Sequence, residues 1–202
     1  MESREAIRRT MRQRRRALSS AQRRAVARRI CKNLCTSLLF LHSRRIGCYL
    51  ANDGEPDLAP VIARCSAMGK RCYLPALHPL GHNRLDFLPY RPGERLIPNK
   101  YRIPEPVDRS GTAPPWALDL LLLPLVAFDA KGDRLGMGGG YYDRTLAYLH
   151  QRKYWRAPRL LGVAHQFQQV DDITPERWDV PLDGVVTDAK IIFFNPALLV
   201  FR

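Results

Sequence analysis

Few features of this sequence point to a membrane, a secretory pathway or a metal cluster. No apolar run approaches the roughly 20 residues that a membrane-spanning helix requires. The arginine-rich start lacks the apolar segment of a secretory signal peptide. The five cysteines form no C-x-x-C pair, and no histidine stands at zinc-finger spacing from them. We therefore expect a cytoplasmic protein with reduced, buried cysteines and no membrane partner.

Acidic residues are scarce in the first part of the chain. Residues 1–32 hold twelve Lys and Arg side chains against Glu2 and Glu5, so this segment carries about +10 of the formal net charge of +14. Such an arm suits nucleic acid, acidic lipid or a polyanionic small molecule, and it also fits a solvated helix face without a partner. No RNP motif or zinc finger accompanies the charge, so a basic nucleic-acid-binding protein is kept only as the alternative.

Local patterns at the start of the chain predict two helices. The first, over residues 3–18, carries arginines at i, i+4 spacing beside a separate apolar stripe. The second begins at a capping box formed by Ser19 and Gln22. Its predicted apolar face consists of Val26, Ile30, Leu34 and Leu38.

The following segments predict an α/β fold. Strands over 45–51 and 70–75, with a helix over 57–68 between them, form a βαβ unit and indicate a parallel sheet. Residues 77–117 are rich in Pro and Gly, with one alternating strand at 85–90. Three later segments have the character of core strands: 159–164, 184–187 and 191–194. We expect a single domain over 1–202, with a mostly parallel central sheet flanked by helices.

The stretch 118–149 holds the most specific pattern. An apolar run over 118–128 predicts a strand buried on both faces. Four glycines follow in five positions, and a helical pattern then starts near Tyr141. Glycines let backbone N–H groups approach an anion, so this order predicts a phosphate-binding loop. It is neither a P-loop nor a Rossmann fingerprint, and a loop that merely turns the chain is the simpler alternative.

At GDRLGMGGGYYDR the sequence resembles the 5-formyltetrahydrofolate cyclo-ligase family, also called methenyltetrahydrofolate synthetases. Four further segments resemble that family in order and spacing: MRQRRRALSSAQR, GEPDLAPVIARCSAMGKRCYLPALHP, LLLPLVAFD and ERWDVPLDGVVT. The resemblance covers about residues 4–188. It implies a magnesium-dependent reaction of ATP with 5-formyltetrahydrofolate, which gives 5,10-methenyltetrahydrofolate, ADP and phosphate. The implied route is phosphorylation of the formyl oxygen followed by attack of N10.

The resemblance also implies site residues, none of which is assigned as a general acid or base. The implied ATP-binding residues are Arg4, Arg8, Arg134, Leu135, Gly136, Met137, Gly138, Gly139, Gly140, Tyr141 and Tyr142. The implied folate-binding residues are Glu55, Met137, Gly138, Gly139, Gly140 and Tyr141. The implied magnesium ligands are Asp143 and, as a weaker match, Asp183. Some family members carry basic residues at the places of Met137 and Gly139, so Arg134 or Arg144 is expected to contribute more charge here.

Each of these assignments has a plainer alternative. Arg4 and Arg8 also fit ordinary surface arginines, and Glu55 fits an exposed turn. Asp143 suits a helix N-terminus, and Asp183 suits the turn in PLDG. Tyr142, which follows the glycines, is expected to belong to the core. His165 and Trp178 receive no role.

The expected partner is a small molecule, a folate with or without a polyglutamate tail, and no nucleic acid. A monomer is expected. A sugar-phosphate or acyl-CoA enzyme on a similar scaffold is a second alternative, because a fold does not fix its chemistry.

Overall fold

The computed structural model describes residues 3–151 and 157–194. Over these residues the chain forms five α-helices and eleven strands, joined by loops and short 3-10 segments. The helices are α1 (Arg4–Ala17), α2 (Ser20–Cys35), α3 (Leu38–His42), α4 (Ala59–Ala67) and α5 (Tyr141–Leu146). The first six strands are β1 (Arg45–Gly47), β2 (Arg71–Leu77), β3 (Leu85–Tyr90), β4 (Leu96–Pro98), β5 (Pro104–Pro106) and β6 (Leu120–Pro124). The others are β7 (Ala127–Phe128), β8 (Arg134–Leu135), β9 (Arg159–Val163), β10 (Gly184–Val186) and β11 (Ile191–Phe193).

The two N-terminal helices form as predicted from their caps. Ser3 caps α1 by accepting a hydrogen bond from the backbone N–H of Ala6. Ser19 and Gln22 form the reciprocal capping box of α2. The predicted apolar face of α2 ends too late, because Leu38 lies in α3 and is 53% exposed.

Seven strands build the central sheet in the order β11-β10-β9-β6-β1-β2-β3. The five inner strands run parallel, and the edge strands β11 and β3 are antiparallel to their neighbours. This confirms the predicted mostly parallel sheet. Because parallel strands share a direction, the carboxyl ends of the inner strands meet at one edge, where ligands of such sheets bind.

Strand β6 is the centre of the core. Its side chains from Leu120 to Leu123 are fully buried, as expected of a strand covered on both faces. One face packs on α2 and α4, through residues such as Ile30 and Val61. The other face packs on a second cluster that includes Phe87 and Leu146. The sheet therefore lies between two apolar layers and holds the strand ends in place.

Three predicted elements differ from the structure. The strand predicted over 45–51 ends at Gly47, because the chain leaves the sheet to form a turn at residues 52–55. The strand predicted over 118–128 is two strands, since β7 turns away to pair with β8 in a separate ribbon. The helical pattern that was expected to reach Leu149 continues beyond α5 only as a 3-10 segment.

The cysteines partly follow the expectation. All five are free thiols, and Cys48, Cys65 and Cys72 are buried. Cys31 and Cys35 are only half-buried, with sulfurs 3.8 Å apart on one face of α2. Over the described residues, no helix is long and apolar enough to cross a membrane.

Candidate active site

A cavity of about 770 Å³ opens at the carboxyl ends of β1, β2 and β6. The wall on one side is the segment from Gly136 to Gly140, which we call the glycine loop. The turn that carries Glu55 lies on another side, and the β4–β5 hairpin contributes Tyr101. The cavity thus combines a backbone-rich wall, a carboxylate and aromatic side chains, which is the mixture expected of a small-molecule site.

The glycine loop exposes its backbone to the cavity. Gly138 and Gly140 have φ values of +95° and +66°, which residues other than glycine rarely adopt. Gly140 is the N-cap residue of α5 and supplies no side-chain cap. The loop therefore presents unshielded backbone groups near a helix start, the arrangement that suits an anion.

Arg8 joins helix α1 to the glycine loop. Its Nε donates a hydrogen bond to the carbonyl oxygen of Gly136 at 2.9 Å, and its guanidinium lies beside Gly138. Partial burial, followed by the charge of Arg4, lowers the pKa of Arg8 below its usual value. Because the charged form of this guanidinium is destabilised by desolvation and by a second cation, an anion bound beside it would stabilise that charge.

Arg4 reaches the same cavity one helical turn earlier. It donates to the carbonyl of Thr174 at 2.8 Å and forms an ion pair with Asp179 at 3.1 Å. Asp179 and the 56% exposed Trp178 line the same wall. Arg4 and Arg8 therefore face the cavity together with the glycine loop, and not the outer surface of the arm.

Glu55 stands at the end of a tight turn. The turn residues Asp53 and Gly54 both have positive φ, and the N–H of Glu55 bonds to the carbonyl of Asn52 at 3.0 Å. The Glu55 carboxylate accepts the N–H of Asn52, also at 3.0 Å. Burial raises the pKa of Glu55 to about 7, although the Asn52 bond and the charge of Arg15 oppose this shift. The carboxyl can therefore change its protonation state near neutral pH.

Two tyrosines that line the cavity contact each other. The hydroxyl oxygens of Tyr101 and Tyr141 lie 2.8 Å apart, and their rings meet edge to face with centroids 5.9 Å apart. Tyr142 also lines the cavity, while it packs against the core cluster that contains Leu146. Sequence reasoning did not find Tyr101, because a single tyrosine in a Pro- and Gly-rich segment carries no recognisable motif.

Comparisons with known proteins show the family of this chain. The profile described as the 5-formyltetrahydrofolate cyclo-ligase family matches residues 1–188. The chain belongs to this family. Proteins named 5-formyltetrahydrofolate cyclo-ligase from Escherichia coli and Haemophilus influenzae are 41% and 36% identical to it. The alignments span 90% and 92% of this chain, and 98% and 97% of those proteins.

Solved structures share the fold. The NMR structure of 5,10-methenyltetrahydrofolate synthetase from Aquifex aeolicus matches with a TM-score of 0.80 and 28% identity. That match covers 95% of this chain and 92% of the Aquifex chain. The synthetase from Mycoplasma pneumoniae matches with a TM-score of 0.71 and 25% identity, over 93% and 99% of the two chains.

The two metal ligands implied by the family resemblance are not brought together. Asp143 lines the cavity, where it pairs with the buried Arg134 at 2.5 Å and accepts the N–H of Val180 at 3.3 Å. Asp183 is absent from the cavity lining. It accepts the N–H of Leu160, near the amino end of β9, and so lies towards the opposite edge of the sheet. Its placement gives no support to a shared metal site.

The remaining residues of the glycine segment play different parts. Leu135 is fully buried in the β7–β8 ribbon, whereas Met137 is 49% exposed at the cavity. Arg144 donates to the carbonyl of Gly139 at 2.7 Å and so braces the loop from its outer side. His165, which received no role from the sequence, is buried with its Nε2 3.0 Å from the carbonyl oxygen of Gly54.

Proposed function

We propose that this chain catalyses the ATP-dependent conversion of 5-formyltetrahydrofolate to 5,10-methenyltetrahydrofolate, with release of ADP and phosphate. One observation carries the proposal. The glycine loop and Arg8 meet on one side of the cavity, 128 residues apart in sequence, and Glu55 lines another side. A phosphate-binding wall opposite a carboxylate suits a reaction between a nucleotide and a pterin.

The chemistry explains why no acid–base side chain is needed. A formamide oxygen is a poor leaving group, and transfer of the γ-phosphoryl group to it forms an iminium phosphate and ADP. N10 then attacks the formyl carbon, the C–O bond breaks, and the departing phosphate carries away the former formyl oxygen and accepts the proton that N10 loses. Such a transfer depends mainly on positioning and on neutralising charge.

The residues divide between the two substrates. The glycine loop would hold the triphosphate through backbone N–H groups, with Arg4, Arg8 and Arg134 neutralising its charge. Glu55 would accept hydrogen bonds from the donor edge of the pterin, its exocyclic amine and ring N–H. Tyr141, at the boundary between the two, would contact either substrate with its ring.

Magnesium would enter with the nucleotide. Mg²⁺ in such sites is bound by one or two carboxylates together with substrate phosphates. Within residues 3–151 and 157–194, no three His, Cys, Asp or Glu side chains are grouped to hold a metal. Asp143, which lines the cavity beside the glycine loop, fits a metal that is shared with phosphate. A bound Mg²⁺ would neutralise phosphate charge during the transfer.

The nucleic-acid alternative is not favoured. Arg4 and Arg8 are turned towards the cavity, and Arg12, Arg15 and Arg16 all contact Asp53 within the molecule. We also propose a monomer that works in the cytoplasm, where the five free cysteines would stay reduced.

The test is a direct assay. The purified chain is mixed with ATP, Mg²⁺ and 5-formyltetrahydrofolate, and the ultraviolet absorbance of the methenyl product is followed. We expect product only when all three are present. If ATP is not consumed and the chain instead binds a phosphorylated sugar or coenzyme A, the second alternative holds.

A further inference from the structure

A cluster of charged side chains is centred on Asp53, which itself lines the cavity. We call Asp53 together with Arg12, Arg15 and Arg16 the Asp53 cluster. Asp53 receives hydrogen bonds from Arg12 at 2.7 Å, Arg15 at 3.1 Å and Arg16 at 2.5 Å. All three arginines belong to α1, whereas Asp53 belongs to the turn that carries Glu55.

Asp53 holds an unusual backbone conformation. Its φ is +50°, in the left-handed region of backbone conformation that most residues other than glycine avoid. Among non-glycine residues, Asp and Asn tolerate this region best. Burial alone would raise the pKa of Asp53, but the hydrogen bonds from Arg12 and Arg16 and the arginine charges lower it, so the carboxylate stays ionised.

The turn is held from two further directions. A side-chain carbon on Gly54, whose φ is +76°, would lie 3.0 Å from the backbone of Arg15, so the turn touches the backbone of α1. Arg15 is fully buried and also donates to the carbonyl of Leu125, just beyond β6. The buried His165 donates from Nε2 to the carbonyl of Gly54 at 3.0 Å. The turn therefore contacts α1, which Arg15 ties to the end of β6, and it also contacts His165, which follows β9.

Helix α1 also carries Arg4 and Arg8, which line the cavity, and Arg8 contacts the glycine loop. Arg8 lies four residues before Arg12, so the same helix segment contacts the glycine loop and Asp53. Arg8 and Arg12 are about one helical turn apart, so a movement of α1 at Asp53 would also move Arg8.

We infer that Asp53 is a positioning residue that holds the arginines of α1 and the turn of Glu55 in one arrangement, and so tunes the binding of both substrates. This inference rests on the proposed function. A residue that merely touched one substrate would affect the binding of that substrate alone.

The decisive variant is Asp53→Asn. Asn keeps the shape of Asp and tolerates positive φ, so the substitution removes the charge and leaves the turn free to form. We expect KM for ATP and KM for 5-formyltetrahydrofolate each to rise about tenfold, with kcat changed less than about twofold. Asp86→Asn is the matched control, since Asp86 pairs with Arg109 at 2.8 Å and is absent from the cavity lining. The control should leave both KM values unchanged.

A second variant tests the same cluster from the helix side. Arg16 is mostly exposed and contacts Asp53 without lining the cavity. Arg16→Gln should also raise both KM values. In the double variant Asp53→Asn/Arg16→Gln, the fold-increase in each KM should be smaller than the product of the fold-increases in the two single variants. Thermal unfolding of each variant separates these effects from a general loss of folded protein.

Calorimetric titration with a non-hydrolysable ATP analogue and, separately, with 5-formyltetrahydrofolate completes the test. Weakened binding of both ligands to folded Asp53→Asn would support the inference. Weakened binding of one ligand only, or unchanged binding of both, would overturn it while the proposed function stands. If the unaltered chain binds neither ligand, the proposed function fails and the inference fails with it.

Discussion

Substitution of Glu55 by Gln tests the electrostatics of the cavity most directly. Burial raises the pKa of the Glu55 carboxyl from 4.5 to about 7. The folded protein then binds this proton more tightly than the unfolded chain does. The contribution of the protonated Glu55 to the free energy of unfolding is fully present below pH 4.5 and is lost as the pH rises through about 7. The interval between the two pKa values corresponds to at most about 3 kcal/mol, and solvent in the open cavity reduces this figure.

The measurement is the free energy of unfolding in urea, for the parent chain and for Glu55→Gln, at pH values from 4 to about 8.5. Gln cannot ionise but can still accept the N–H of Asn52, so the difference between the two proteins isolates the titration. We expect the parent to lose about 2–3 kcal/mol relative to the variant between about pH 4.5 and 8.

A matched control is available in a second turn of the same kind. The exposed Glu94 accepts the N–H of Arg91 at 3.0 Å, three residues earlier, as Glu55 does with Asn52. Glu94→Gln therefore reports the cost of changing such a turn without burial. A difference between parent and Glu55→Gln that is flat with pH, or that moves in favour of the parent as pH rises, would refute the reasoning.

The same titration has a consequence for catalysis. If the pterin binds the ionised carboxylate, kcat/KM for the folate should fall as the pH drops below about 7, because the free enzyme then holds a proton on Glu55. This fall should be absent from the pH profile of Glu55→Gln, whose overall kcat/KM is lower. The two measurements therefore report the same group through stability and through binding.

Three further predictions concern the charge and shape of the site. Asp143→Asn should cut turnover sharply and raise the Mg²⁺ requirement while circular dichroism shows a retained fold; near-normal turnover at limiting Mg²⁺ would contradict the metal role. Gly140→Ala should raise KM for ATP several-fold, because a Cβ there meets Arg144 at 2.7 Å. Gly69 has the same φ of +66°, but a Cβ there would meet no atom within 4 Å. Gly69→Ala and Gly140→Ala should therefore each lower the free energy of unfolding by ~1 kcal/mol, and Gly69→Ala should leave KM for ATP unchanged. Finally, affinity at low salt should rise with the number of glutamates on the folate, and an equal affinity across tail lengths would exclude attraction by the net charge of +14.

Patterns between near neighbours in the sequence were sufficient for much of the fold. The cap at Ser19, the buried strand at Leu120–Leu123 and the alternation of helices and strands all depend on residues a few positions apart. The glycine loop belongs to the same class, because its φ values and its closeness to a helix start are local properties. The resemblance of several separate motifs added the family, which the comparisons confirmed.

Strand ends and the roles of single side chains depended on contacts across the fold. The strand from Arg45 ends early because the turn at Asp53 is bound by arginines 37 to 41 residues away. Tyr101 reaches Tyr141 only because the β4–β5 hairpin returns to the cavity.

The sequence by itself determined which residue types occur, their helical and strand periodicity and the position of the glycine loop directly before a helix. Only the tertiary structure decided that Arg8 contacts Gly136, that Asp53 rather than solvent receives three arginines, and that Asp183 lies away from the cavity. The physical reason is distance along the chain. Local propensity acts over a turn or two of backbone, whereas these contacts join segments that meet only when β6 and its neighbours are packed in one sheet.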